Sequence, residues 1–150
     1  TMTVNEMMIR HNFITKIILR DKDKELSKDL KVKIMSMRIE LGKLRRQVED
    51  DLQEAISQLT PSEYRELASK SNLTQDEREQ IKEWNKQITE EYNTYLDQRS
   101  KDEVADCAHF NEDEYAQIVE VNAANDVEIN GQKLCAADFL EVLHSLFVEQ

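Results

Sequence analysis

Turn-forming residues are almost missing from this chain of 150 residues: it has two glycines, Gly42 and Gly131, and one proline, Pro61. An all-β fold needs a turn every few positions and is excluded on that ground. A glycine-rich phosphate loop is excluded with it. Cysteine is scarce as well. Cys107 and Cys135 cannot build the disulfide framework of a small secreted domain, so a reducing compartment is expected. No apolar run approaches the ~18–20 residues of a membrane span, and the polar start shows no secretory signal pattern. The expected location is cytoplasmic: a cell's own cytoplasm or, for a viral protein, the host cytoplasm or the virion.

What is present is charge and helical periodicity. Charged residues make up 34 % and apolar residues 39 %, the balance of long amphipathic helices with a limited core. The formal net charge of −11 is unevenly placed. The last fifty residues hold Lys101 and Lys133 against 12 acids, a net of −10. Such a surface repels nucleic acid and acidic membranes and suits a basic protein partner.

Leu26, Leu30, Ile34, Met37, Leu41, Leu44, Val48, Leu52, Ala55 and Leu59 follow one another at steps of three or four. That spacing keeps them on one face of a helix from about Lys24 to Leu59, roughly 50 Å long. A stripe of that length asks for a long partner, so Leu30, Ile34, Met37, Leu41, Leu44 and Val48 are the expected seam of a homo-oligomer. A second apolar row, Val32, Met35 and Ile39, lies nearly opposite. A helix apolar on two sides is covered on two sides, by the first helix folded back and by a second subunit.

Around this helix the pattern predicts a first helix over residues 4–19, ending at a polar interruption from Asp21 to Lys24. Thr60, Pro61 and Glu63 read as the capped start of a short helix over 61–70. Thr74 and Glu77 form a second capping box, opening a helix to about Ser100. Asn111 and Glu114 start a third. Val127 to Leu134 alternates around Asn130-Gly131, a strong hairpin signal. Ala136 to Val148 is a last amphipathic helix. The expected fold is mainly α: a long helical hairpin or bundle over 1–105, then a small acidic α+β unit over 106–150 with one β-hairpin. Glu112, Asp113 and Glu114 are the expected partner-binding acidic patch.

Chemistry finds little support. Cys107, His109, Cys135 and His144 are the one set resembling zinc ligands, but the Cys-x-His step and the nine-residue second spacing are irregular, and packing roles fit better. Asp21, Asp23 and Glu25 begin like a calcium loop, yet the places that need glycine and a closing acid hold Leu26 and Val32. No acid pair stands out as acid and base. Lys24, Lys31, Arg38 and Arg45 share a helical face that reads mainly as a solvated, ion-paired row. No metal, cofactor or enzymatic activity is expected.

The segments Phe110–Tyr115, Val127–Asn130 and Ala137–Leu143, with the short first helix and the long charged second one, give a layout that resembles small tailed-bacteriophage proteins of unknown function. The similarity covers the order of elements over most of the chain, and the block 60–101 looks like an insertion relative to it. The resemblance implies a phage-encoded, non-enzymatic accessory or assembly protein and transfers no catalytic residue. The expected function is therefore structural, through helix–helix association. The alternative is a small phage inhibitor or ligand-sequestering module that acts on a host factor.

Overall fold

In the computed structural model, which describes residues 1–149, helix α1 (Val4–Ile14) ends earlier than its apolar periodicity predicts. Thr3 caps its start, accepting from the Glu6 N–H at 3.1 Å. Its end is set by side chains from far along the chain. Arg38 donates Nε to the Ile14 carbonyl at 3.0 Å and Nη2 to the Ile17 carbonyl. The Asn122 amide accepts from the Ile18 N–H at 2.8 Å and donates to the Ile18 carbonyl at 3.1 Å. These bonds satisfy backbone groups that a longer helix would have paired internally.

The polar interruption that follows is a miniature hairpin. Strands β1 (Met2–Thr3), β2 (Arg20–Asp21) and β3 (Lys24–Glu25) are each two residues long, and β2 pairs antiparallel with β3. Lys22 takes φ 57° in the turn, a conformation that costs a non-glycine residue energy. Glu25 accepts from Lys31 and Arg20 across the hairpin's mouth, which holds its carboxyl below the usual range.

Helix α2 (Lys28–Leu59) starts four residues later than expected, because Ser27 caps it and accepts from the Leu30 N–H. The chain then divides into two compact units, residues 1–45 with 103–150, and residues 46–102. The boundary expected near residue 105, with 106–150 as a separate unit, is corrected by this division. Strand β4 (Glu103–Val104) pairs with β1, and helices α5 (Glu112–Asn122) and α6 (Ala136–Phe147) share a core with α1 and the first half of α2. Met7, Ile14, Leu30, Ile34, Met37, Leu41, Ile118, Phe139 and Phe147 are all buried there. The Phe13 and Phe139 rings stack at 5.9 Å. A tail of about forty residues cannot bury enough apolar surface alone, and residues 1–45 supply what it lacks.

Local signals in the tail are obeyed. Asn111 and Glu114 make a reciprocal capping box on α5. Strands β5 (Val127–Ile129) and β6 (Gln132–Leu134) pair through Asn130 and Gly131, at φ 53° and 77°, as a tight two-residue hairpin requires. Cys135 cannot cap α6 with its side chain, and Asp126 does so from before the hairpin, accepting from the Ala136 N–H at 2.9 Å.

The unit of residues 46–102 is a thin helical hairpin. The second half of α2 returns through α3 (Ser62–Ala68) into α4 (Gln75–Ser100). Its antiparallel register is marked by Arg99, near the end of α4, on Asp51 at 3.1 Å, and by the Tyr64 and Trp84 rings at 6.2 Å. Neither α3 nor α4 buries a residue completely. Pro61, not Thr60, precedes α3; the Thr60 hydroxyl donates to the Ile56 carbonyl instead and closes α2. The box at Thr74 and Glu77 forms as expected. Lys70 first, then the Thr74 N–H, holds the Glu77 carboxyl down at about 2, from an ordinary 4.5. A depressed carboxylate contributes stability above the ordinary value and loses it as pH falls through the folded one. The start of α4 should therefore stay ordered at pH 4.5 and fray progressively towards pH 2. NMR titration of the Glu77 side chain checks this; a midpoint in the ordinary carboxylate range would refute it.

Candidate functional site

The expected seam lies in the interior. Leu30, Ile34, Met37, Leu41 and Val48 are each at most 2 % exposed, and Leu44 is half-buried. For Leu30, Ile34, Met37 and Leu41 the partner that the spacing demands is the core shared with α1, α5 and α6, and Val48 is buried in the unit of residues 46–102, so these residues are not an outer interface. Periodicity shows that a face is covered but not by which chain.

The second row remains uncovered. Val32, Met35 and Ile39 are 56 %, 50 % and 57 % exposed. They are the large apolar side chains most open to solvent among the described residues, and they are contiguous. Lys28 precedes the row by four residues and Lys43 follows it by four, so both stand on the same line along α2. Both lysines are exposed, and neither makes an ion pair among the described residues. Asp29 and Glu40 occupy one flank only. The face is a short apolar strip with a cation at each end.

The other charged candidates are largely engaged. In the expected basic row, Arg38 holds the Ile14 and Ile17 carbonyls at and just past the end of α1, Arg45 reaches Asn12 Oδ1 at 2.6 Å and His11 Nδ1 at 3.0 Å, and Lys31 pairs with Glu25 at 2.6 Å. In the expected acidic patch, Glu114 is half-buried, closes the capping box and pairs with Lys33 at 2.9 Å. It is a structural acid. Glu112 and Asp113 are exposed, with Glu112 facing His144 Nε2 at 3.4 Å. The three acids thus do not act as one patch.

The four residues weighed as zinc ligands do not converge. Cys135 is exposed at the start of α6, and His144 packs edge-on against Tyr115 at 4.8 Å. Cys107 and His109 sit instead on the loop between β4 and α5, where Asp106 joins them. Asp106 escaped the sequence reading because it is one of many tail acids. An open groove of about 620 Å³ lies between α5 and α6, lined by Tyr115, Val119, Leu140, Glu141 and His144. Its main polar groups are already bonded, Tyr115 Oη donating to the Leu140 carbonyl at 2.6 Å and His144 lying against Glu112.

No protein-family model, curated protein or solved structure matches the chain.

Proposed function

We propose that the chain is a non-enzymatic interaction protein that binds an acidic amphipathic helix of a partner on the Val32, Met35 and Ile39 face of α2. The carrying observation is that apolar strip, exposed by half or more at each position, with Lys28 and Lys43 at its ends. An apolar stripe laid along such a face is a recurrent mode of helix recognition. Charge selects the occupant. Pairing two copies of this row, parallel or antiparallel, sets lysine against lysine, whereas a helix with acids flanking its apolar stripe neutralises both ends. The reading extends to a phage accessory or assembly role, which is what the resemblance of the chain's layout implies. No helix among the described residues is long and apolar enough to cross a membrane.

The test uses a designed helical peptide with a leucine stripe flanked by glutamates, and a twin flanked by lysines. Fluorescence anisotropy should show the acidic peptide bound at least about tenfold more tightly, with affinity falling as salt is raised, because screened charges no longer select. Ile39→Asp should abolish binding without lowering the melting temperature. Equal, weak binding of both peptides would refute the charge argument. A concentration-dependent dimer in light scattering, lost in Met35→Glu, would give the face to a second copy of the chain.

A further inference from the structure

We infer that Asp106, Cys107 and His109 form a three-ligand site for a borderline-soft divalent cation, with zinc the best match. One ligand atom from each residue lies within 4.8 Å of the other two. The His109 Nε2 to Asp106 Oδ2 separation is 3.4 Å. A tetrahedral zinc with bonds of about 2.0–2.1 Å to nitrogen and oxygen spreads those two atoms by roughly 3.3 Å. One thiolate, one imidazole and one carboxylate are each established zinc donors, and three protein ligands leave a fourth position open.

The loop that carries them is held at both ends. Val104 and Glu103 pair with β1, and the Phe110 N–H donates to the Phe147 carbonyl at 2.8 Å with its ring buried. The Asp106 carboxylate is oriented from its other oxygen. Oδ1 accepts from the Cys107 N–H at 2.9 Å and from Arg10 Nη1 at 3.3 Å, while Arg10 is itself fixed by Nε on the Leu146 carbonyl at 3.1 Å. Oδ2 is left directed at His109. Partners of this kind behind a ligand set its direction before the ion arrives. Arg10 also places a positive charge behind the carboxylate, which lowers affinity for any cation and favours one that gains from a thiolate over calcium or magnesium. Cys107 is 8 % exposed, and its burial pushes the thiol up from its ordinary value. A thiol coordinates a metal only as the thiolate. Binding forms the metal–sulfur bond and releases the thiol proton to solvent.

Cobalt(II) titration of the whole chain, in a Cys135→Ser background to remove the exposed thiol, tests the site. One cobalt per chain should bind with a thiolate-to-cobalt absorption band, release of about one proton, and displacement by one equivalent of zinc. Cys107→Ser should lose the band. His109→Ala and Asp106→Asn should each weaken binding by more than the ~10–100-fold that loss of an outer partner costs. Both side chains are partly exposed, so these variants keep the test valid if Cys107→Ser misfolds. Absence of the band, its survival in Cys107→Ser, or unchanged affinity in His109→Ala and Asp106→Asn would overturn the inference.

Discussion

Leu41→Asp should unfold the unit of residues 1–45 and 103–150, whereas Ile39→Asp, two positions away on the same helix, should leave it folded. Leu41 is 0 % exposed and Ile39 is 57 % exposed. Truncation of a buried leucine to alanine costs about 2–5 kcal/mol from the lost apolar contact and the remaining cavity. A carboxylate in the same place adds the penalty of an unpartnered charge in an apolar interior. With a total stability of about 5–15 kcal/mol for a domain, the sum approaches the whole. Urea denaturation followed by the assigned NMR resonances of the Tyr115 ring reads the unit directly. Were Leu41→Asp to fold normally and change only the solution mass, the stripe would be an interface between chains after all.

Asn122→Ala should destabilise the same unit by about 1–3 kcal/mol, because it leaves partly buried backbone groups of Ile18 without their partner. Asn122 is the one buried polar residue among those described, at 0 % exposure. Its Oδ1 accepts from the Ile18 N–H and from Asn125, and its Nδ2 donates to the Ile18 and Ile118 carbonyls. The two bonds to Ile18 reproduce what a neighbouring strand would give, on a segment that has no strand beside it. Removal of the side chain leaves the half-buried Ile18 pair without a protein partner. Asn122→Asp should be no milder, since it keeps the acceptor but turns both donor contacts into repulsions. Hydrogen exchange at the Ile18 amide should accelerate in both variants. Protection unchanged from the wild type would mean that another group satisfies this backbone.

These two residues also show where the sequence is legible. Thr74 with Glu77, Asn111 with Glu114, and Asn130 with Gly131 act within four residues of themselves, and each forms the cap or turn that its chemistry implies. Thr60 failed as a cap for α3 because its hydroxyl found a carbonyl in the preceding turn. Asn122, Arg38 and Arg10 were unreadable in their roles. Their partners lie at Ile18, at Ile14 and Ile17, and at Leu146, and no local pattern announces such pairings. The same limit applies to the candidate sites. The row Val32, Met35 and Ile39 was visible as apolar, but its exposure follows only from where α1, α5 and α6 settle. Asp106 became distinct from the other acids of the tail only when the loop placed it beside Cys107 and His109.

The interruption of one compact unit by another has a bearing on the order in which the chain folds. Arg45 and Glu103 belong to the same compact unit, but the whole excursion from Arg46 to Asp102 separates them in sequence. An unstructured excursion of that length would cost on the order of 3 kcal/mol in closure entropy before any contact of the core could repay it. The hairpin's own contacts are close in sequence, such as Tyr64 on Asn85 and Lys70 on Glu77, and its two ends are drawn together by Arg99 on Asp51. Local helical pairings of this kind form fastest. The 46–102 hairpin therefore serves as a splint. Formed early, it presents the first 45 residues and the last 48 to each other as though a short turn joined them.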